Sequence, residues 1–400
     1  MARNRIIYQS EALYAGRDKP TAGYIDETGL NSVAGDNRPV QLQRVQSANY
    51  SFEVARQDVN QFGNLAAIDR VILEQPTVSL DFSYYLCDFH NESTLGYSVN
   101  ADGTDSTNLT SAIASLLTKV TDERNYFIRT VKEGVDASAY ADTTDANNDV
   151  IAVGNGFLSS YSSEGSVGDF ATANITVEAL NMAFHEGAFR KNLPSVDPET
   201  GEKIKIVTLT AAQAADGRVV GDGLKFDLPK AVTNPGGEVS AAGQSVIRPG
   251  YITLTIPALG GAGGGNGGMD ISDAKIQSYS VNFDLARTPL ERLGSKFAFS
   301  REIDFPVTVT MSVEASLGDL VTGDLANVFD NDKDYDLFVH LKKNGARHCA
   351  YALKGAKLDS QEFSASIGDN KSVTLNFSAQ IGSTADTTAG FMMSGKTTHA

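Results

Sequence analysis

One stretch of this chain, at positions 45–83, occurs a second time at 276–314 and constrains the fold more than any other feature. Adding 231 to a position in the first copy gives its partner in the second copy, and the alignment needs no gap. The identical pairs are Gln46/Gln277, Ser47/Ser278, Phe52/Phe283, Ala55/Ala286, Arg56/Arg287, Gly63/Gly294, Ala67/Ala298, Arg70/Arg301, Ile72/Ile303, Thr77/Thr308 and Val78/Val309. A long repeat predicts two units of the same kind, and it has to be identified before the fold is interpreted.

The similarity between the copies resumes twice further along the chain. Positions 125–134 align with 336–345, and positions 158–179 align with 358–379. The first copy therefore has extra residues in two connections, where insertions are tolerated. Convergent strand alternation can imitate such similarity, but an ungapped run with matched Gly and Arg positions favours a repeated domain. We expect both copies to adopt one fold.

Alternating apolar and polar residues in both copies are typical of antiparallel strands with one buried face. In 77–84, for example, Val78 and Leu80 point one way, and Thr77 and Ser79 point the other. We expect equivalent positions to share one environment, so that both phenylalanines of the matched pair are buried. The predicted core positions of the repeat are Phe52, Phe283, Gly63 and Gly294.

The pattern divides the chain into five segments. They are an N-terminal strand and arm at 1–40, the first copy at 41–183, a strand-containing insertion with a Gly-rich linker at 184–270, the second copy at 271–383, and a loose C-terminal tail at 384–400. The strand-like pieces of the insertion are expected to form partly an added lobe and partly the first strand of the second copy. Helical spacing predicts one flanking helix per copy, at 107–120 and 320–329. The predicted fold class is mainly β, a β-rich α+β fold.

Composition limits the classes of function. The 400 residues carry a formal net charge of −16, with 41% hydrophobic and 20% charged residues, as in an ordinary soluble protein of two domains. An acidic surface repels nucleic acid backbones, which disfavours a sequence-reading DNA or RNA binder. The N-terminus has no apolar leader, so we expect folding in a cytoplasm, where Cys87 and Cys349 stay reduced.

No motif in the sequence indicates catalysis, a metal site or a cofactor. The glycine run at 260–268 lacks the Lys-Ser/Thr of a phosphate-binding loop and is expected to be a linker. Asp330, Asp332 and Asp334 are spaced like the start of a calcium loop. The positions that need Gly and a bidentate Glu hold Tyr335 and Leu341, so we favour a solvated acidic turn over a calcium site. We therefore expect a protein that is not an enzyme and binds no metal or cofactor.

The repeated motifs resemble those of the tail tube, or major tail, proteins of long-tailed bacteriophages. The resemblance rests on RIIY at 5–8, QSANYSFEVARQDVNQFGNLAAIDR at 46–70, FSREIDFPVTVTMSVEASLGDLVTGDL at 299–325 and LKGAKLDSQEFSASIGDNKSVTLNFSAQIG at 353–382. It covers most of both copies and not 184–250. The resemblance implies a β-sandwich with a flanking helix, whose six-membered rings stack into a DNA-conducting tube. The usual member has one tube domain, whereas this chain would have two.

The resemblance implies a location in the virion tail, after assembly in the host cytoplasm and without a membrane. The implied partners are further copies of this chain and other tail proteins, namely the tape measure, the terminator and the baseplate or tip. DNA would pass through the lumen without specific binding. Because two copies are fused, we expect a trimeric ring with pseudo-sixfold symmetry. The alternative is a hexamer in which one copy lines the pore and the other projects outward.

The polar faces of the repeated strands carry small and acidic side chains, and we expect them to line the channel, the alternative being an outer solvent face. The expected lumen residues are Ser51, Glu53, Thr77, Ser79, Asp81, Asn282, Asp284, Thr308, Thr310 and Ser312. Rival functions are a β-sandwich binding or decoration protein of a virion, an injection-system tube protein, and an enzyme on a β-rich scaffold. A glycan binder usually exposes aromatic platforms, whereas these faces expose Ser, Thr, Asp and Glu. Electron microscopy of the pure protein distinguishes a ring- or tube-forming subunit from the others.

Overall fold

The protein is described here from a computed structural model, and every structural statement concerns the residues that it describes. These are residues 11–17, 39–72, 75–101, 109–118, 122–131, 133–134, 136–137, 148–185, 191–192, 194–197, 219–220, 223–226, 228, 231, 246–247, 249–255, 275–294, 297–298, 300–316, 334–343, 346–364, 372–381 and 389–395. Predictions for 5–8, 260–268 and 320–329 lie outside them.

Strands dominate the described chain, as the sequence predicts for a mainly β fold. The strands are β1 Glu11–Arg17, β2 Val40–Gln41, β3 Val45–Glu53, β4 Arg56–Val59, β5 Asp69–Ile72, β6 Thr77–Tyr85, β7 Val99–Ala101, β8 Arg124–Val131, β9 Asn148–Ser166, β10 Thr172–Ala179, β11 Asn181–His185, β12 Lys191–Asn192, β13 Val219–Val220, β14 Gly223–Phe226, β15 Ile252–Thr255, β16 Lys275–Asp284, β17 Arg287–Leu290, β18 Ser300–Ile303, β19 Val307–Ser316, β20 Tyr335–Lys343, β21 Ala346–Ser364, β22 Ser372–Ile381 and β23 Gly390–Gly395. Helix α1 spans His90–Leu95, and 3-10 turns span Leu116–Thr118 and Pro249–Tyr251.

A continuous antiparallel ladder joins the two copies. It runs β3-β6-β10-β9-β16-β19-β22-β21, with four strands from each copy. We call these eight strands the central ladder. Strands β9 and β21 have 19 residues each, and only their C-terminal parts belong to the central ladder. Their N-terminal parts pair with β8 and β20, so each long strand links two groups of strands.

The strands of the two copies are paired in the same way. In the first copy β1 pairs with β8, β8 with β9, and β11 with β9. In the second copy β15 pairs with β20, β20 with β21, and β23 with β21. Strand β15 thus takes the place beside β20 that β1 takes beside β8 in the first copy. The short strands β12, β13 and β14 form a separate small sheet in the same insertion.

Irregular backbone positions also recur at matched places. The pairing of β3 with β6 shifts at Gln46, and the pairing of β16 with β19 shifts at the matched Gln277. Asn155 in β9 has a φ of 54°, and Gly355, at the matched place in β21, has a φ of 62°. Bulges and left-handed residues bend and twist strands. The two copies therefore share strand geometry in detail as well as strand order.

Both copies contribute to one hydrophobic core. The main cluster includes buried rings from the first copy, such as Phe82 and Tyr161, and from the second copy, such as Phe283 and Phe377. The copies also cross over at the chain ends, because β7 of the first copy pairs in parallel with β23 of the second. Each copy buries part of its apolar surface only against the other.

Two predictions about secondary structure are wrong in the described residues. The segment 109–118, predicted as helix, forms turns and a 3-10 turn, because its backbone bonds to neighbouring segments: Ala112 N–H donates to the Phe391 carbonyl. The tail 384–400 was expected to be loose, but β23 lies inside it and is buried along its length. Phe391 and two following methionines form a short apolar run that β7 and β21 enclose.

Candidate functional site

The polar face of the central ladder is the first candidate surface. All the residues that the sequence predicts for a channel lie on this face, with exposed or half-buried side chains: Ser51, Glu53, Thr77, Ser79, Asp81, Asn282, Asp284, Thr308, Thr310 and Ser312. Their strand neighbours on the other face in β6, β16 and β19, such as Val78 and Val309, are buried. The alternation therefore brings residues of two copies together on one surface.

The charge on this face is mainly negative. Alternate positions of the eight strands add Ser, Thr and Asn side chains, and the carboxylates on the face are Glu53, Asp81, Glu164, Glu178, Asp284, Glu314 and Glu362. Two lysines, Lys275 and Lys357, lie at the places where strand pairing begins. Hydroxyl pairs cross between neighbouring strands, as in Ser51–Ser79 at 2.8 Å and Ser364–Ser372 at 2.9 Å. An anionic face of short side chains repels a polyanion and offers it few donors.

The junction of β9 with β16 carries this face from one copy to the next. Seven residues of each strand pair there, from Ser278 opposite Ser166 to Asp284 opposite Ser160. Beneath the polar face, the buried ring of Phe283 stacks on Tyr161, with 5.3 Å between ring centroids, and meets Tyr97 edge-on. The junction therefore joins the two copies edge to edge within one sheet, with packed side chains beneath it.

An arginine closes the end of the same junction. The Arg287 guanidinium donates two hydrogen bonds to the Asp122 carboxylate, at 2.7 and 2.6 Å, and its Nε donates to the Leu158 carbonyl at 3.3 Å. The side chains of Arg287 and Asp122 are 3% and 11% exposed. The guanidinium also lies 5.0 Å from the centroid of the Phe157 ring. Bidentate pairing and stacking fix both the position and the orientation of the second copy.

The two ends of the central ladder carry no partner strand among the described residues. One end is β3, the equivalent of β16, and the other is the C-terminal part of β21, the equivalent of β9. Phe52 is 48% exposed on β3, whereas the matched Phe283 is 2% exposed. The prediction that both are buried is therefore wrong for Phe52. The reason is position in the sheet, because Phe283 has β9 beside it and Phe52 has no such neighbour.

Two hairpins connect neighbouring strands of the ladder, β4–β5 between β3 and β6 and β17–β18 between β16 and β19. The β4–β5 hairpin has fully exposed Phe62 and Leu65 at its tip, and the β17–β18 hairpin has fully exposed Leu293. Gly63 and Gly294, expected at shared core positions, lie in these tips with φ angles of 91° and 87°. They are shared turn positions and are not core residues. Their left-handed conformation explains why glycine stands at both places.

A buried polar cluster lies under helix α1. Glu92 is 1% exposed, and its carboxylate accepts hydrogen bonds from the hydroxyls of Tyr84 at 2.9 Å and Tyr161 at 3.1 Å. Tyr161 also bonds to the Tyr351 hydroxyl of the second copy at 2.6 Å. Burial raises the pKa of Glu92 from 4.5 to about 7. The cluster is closed off from solvent and links the copies, and sequence analysis missed it because its members come from distant segments.

Other chemical features of the described chain are few. Among these residues, no group of three or more His, Cys, Asp or Glu side chains is placed to hold a metal ion. Asp334 of the predicted acidic turn lies 2.9 Å from Lys357, and Asp330 and Asp332 lie outside the described ranges. Cys87 and Cys349 are buried free cysteines. No helix in the described part of the chain has the length and apolar character needed to cross a membrane.

Comparisons with known proteins give weak similarities. No protein-family model matches the chain, and no curated protein matches it. Among solved structures, the chain is similar to a chain in the virion of a native gene transfer agent, with 16% identity over 28% of this chain and 82% of the other, at a TM-score of 0.22. A chain from the tail of an empty gene transfer agent particle, refined with C6 symmetry, has 16% identity over 34% and 93%, at 0.24.

The SPP1 tail tube structure has 14% identity over 38% of this chain and 80% of the other, at a TM-score of 0.27. All three TM-scores are low.

Proposed function

We propose that this chain is the structural subunit of a bacteriophage tail tube, whose rings stack to form the channel that conducts DNA from the capsid to the host. The observation that carries the proposal is the β9–β16 junction. This junction joins two equivalent units edge to edge. The equivalent of β16 is β3 and the equivalent of β9 is β21, and both of these strands lie open at the ends of the ladder. A unit that joins its own repeat in this way can join further copies in the same way.

Repetition of this junction leads to a closed ring. The contact is heterologous, since β3 and β21 are different surfaces, and heterologous contacts form rings when the rotation between units closes. Exposed sheet edges otherwise invite aggregation, and closure removes them. The two copies in each chain arose, in this proposal, by duplication of one tube domain. Three chains then supply six units, which gives a trimeric ring with pseudo-sixfold symmetry.

The polar face of the central ladder becomes the wall of the channel. Its carboxylates, for example Glu53 and Asp284, would repel the phosphates of passing DNA, and its Ser and Thr side chains are too short to obstruct it. DNA is thus cargo that the wall does not bind. In this proposal the chain has no catalytic activity and requires no cofactor.

Rings need contacts along the tube axis as well as around it. The hairpin tips with Phe62, Leu65 and Leu293 are the exposed apolar groups that would dock on the next ring. The ends of the tube would contact the tape measure, the terminator and the baseplate or tip proteins of the tail. Assembly would take place in the host cytoplasm, and the mature location would be the virion tail.

Electron microscopy of the concentrated, purified full chain tests this function. We expect rings or tubes with a central channel, and three chains per ring in a reconstruction made without imposed symmetry. Six full chains per ring would refute the trimer while leaving the tube function intact. A protein that stays monomeric at high concentration, with no rings or tubes, would contradict the tube function and favour a binding or decoration protein.

A further inference from the structure

We propose that β3 of one chain pairs with β21 of a second copy in the same register that joins β16 to β9 within the chain, and that Arg56 closes this contact as Arg287 closes the internal one. This inference rests on the proposed function and specifies the partner surface residue by residue. The β9–β16 junction within the chain shows how two such units pair.

The register follows from the equivalence of the strands. Position n of β9 corresponds to n + 200 in β21, and position m of β16 corresponds to m − 231 in β3, and the matched bulges of both strand pairs agree with these offsets. Inside the chain, Phe283 lies opposite Tyr161, Asn282 opposite Ser162 and Val281 opposite Ser163. The transposed pairs between two chains are Phe52 with Gln361, Ser51 with Glu362, and Tyr50 with Phe363.

The exposed apolar groups on the two edges fit this pairing. Tyr50 and Phe52 are 40% and 48% exposed, whereas their equivalents Val281 and Phe283 are buried at the junction. On the opposite edge, Phe363 is 48% exposed. The proposed register places Tyr50 directly against Phe363, so two exposed rings would bury one another. Cross-strand aromatic pairs of this kind stabilise sheets.

A polar side chain at the edge supports the same arrangement. Both amide atoms of Gln361 are buried without a hydrogen-bond partner in the described chain. A buried amide without partners is costly, so its partner is expected from outside. Gln361 is the equivalent of Tyr161 in the first copy. In the proposed register, Tyr50 of the second chain lies opposite Phe363 and therefore diagonally across from Gln361. The Tyr50 hydroxyl can accept from, or donate to, the Gln361 amide there.

Arg56 provides the closing contact. It is identical to Arg287 in the repeat, yet it is exposed, because no second unit lies beside it. The Leu358 carbonyl corresponds to that of Leu158, which accepts from Arg287. Asp122 corresponds to position 333, which is Lys333, so the repeat supplies no carboxylate at that position itself. Asp334 lies one residue further on, and it is 61% exposed while paired with Lys357. The Arg56 guanidinium of a second chain would bind this carboxylate and the Leu358 carbonyl.

Cysteine cross-linking tests the register. The variant carrying Ser51→Cys and Glu362→Cys should form covalent dimers and trimers on oxidation of the full chain, since directly opposite residues have Cβ atoms about 4.5–5.5 Å apart and a disulfide needs about 3.5–4.5 Å. Both native cysteines are buried and do not compete. A variant with Ser51→Cys and Ser364→Cys is out of register and should give at least about fivefold less product.

The internal junction supplies the positive control. A variant with Asn282→Cys and Ser162→Cys has the same pair geometry within one chain, and it should form an intramolecular disulfide. An equal yield from the out-of-register pair would overturn the proposed register. So would the lack of intermolecular product from the in-register pair.

Charge reversal tests the closing contact independently of disulfide geometry. Arg56→Glu should raise the concentration needed for ring assembly, measured by sedimentation, by about tenfold or more. Combination with Asp334→Lys should recover much of the loss. The melting temperature of the monomer should stay unchanged, because Arg56 is exposed, whereas Arg287→Glu should lower it. Assembly of Arg56→Glu at the wild-type concentration would refute the role of Arg56.

The outcomes separate this inference from the proposed function. Rings or tubes with a different edge register, seen as cross-linking of the wrong pair, would refute the inference and leave the tube function standing. A chain that forms neither rings nor tubes would contradict both.

Discussion

Truncation of Phe283 to alanine should destabilise the isolated chain by about 3–5 kcal/mol, the usual range for Phe→Ala in a well-packed core. Phe283 is 2% exposed, and its ring lies 5.3 Å from that of Tyr161, 5.5 Å from Phe391 and 6.1 Å from Tyr97. These partners come from both copies, so the cavity would open at the junction itself. The surrounding structure can move only a little into this cavity, because three rigid rings and two paired strands surround it.

The matched control is Phe52→Ala. The two residues are identical in the repeat, but Phe52 is already 48% exposed. Because about half of the ring is exposed, Phe52→Ala should lower the free energy of unfolding of the isolated chain by only roughly 1–1.5 kcal/mol. Urea unfolding at a protein concentration below assembly measures both free energies of unfolding. Equal losses for the two variants would refute the view that the edge position, and not the repeat position, decides burial.

Three further predictions concern pH, ring stacking and the channel. Since burial raises the pKa of Glu92 from 4.5 to about 7, the folded state binds a proton that the unfolded state releases; the free energy of unfolding should fall by about 3 kcal/mol as pH rises from 4.5 to 7, and Glu92→Gln should remove most of this slope in urea titrations at fixed pH values. Replacing Phe62 and Leu65 by serine should leave rings intact but shorten or abolish tubes in micrographs, with an unchanged melting temperature; full-length tubes would exclude the hairpin tips from stacking. Ser79→Arg with Thr310→Arg should assemble but slow DNA ejection, and unchanged ejection kinetics in assembled particles would count against a lumen position.

Strand positions were predictable because their signal is local. In β6 and β19, each apolar residue that alternates with Ser or Thr is buried, as with Val78 and Val309. The repeat made the equivalence of the copies predictable for the same reason, since matched sequences form matched strands. The polar face followed from the period of two alone.

The environment of a strand was not predictable, because it depends on distant segments. Phe52 and Phe283 have the same local sequence signal, and only the neighbour of each strand separates them. The burial of β23 depends on β7, and the Asn100 side chain donates to the Met393 carbonyl across a separation of 293 residues. The apolar spacing at Ile113 and Leu116 predicted a helix, yet it equally suits a compact turn beneath β23. The tail around β23 is rich in Ser, Thr and Gly, and this composition predicted a loose segment although β23 contains a short apolar run.

The Arg287 and Glu92 contacts were missed for a related reason. Arg287 carries a clear signal, its identity with Arg56, but nothing in the sequence indicates that Asp122 meets it. Glu92 lies in a helix of six residues, and its partners come from β6 and β9. Such contacts become visible only when the tertiary arrangement is known.

The internal junction and the free edge of the repeat differ in the side chains at equivalent positions, and the proposed tube gives a reason. At the internal junction, Tyr161 bonds to Glu92 and Tyr351, and Arg287 stacks on Phe157. At the free edge, the equivalent positions hold Gln361 and Lys357, which are polar, and Lys357 is 46% exposed and paired with Asp334. Obligate contacts resemble a protein core, whereas contacts between separately folded partners are more polar. In the proposed tube, these differences would make the internal junction part of the core of each subunit and leave β3 and β21 free to pair when a second chain arrives.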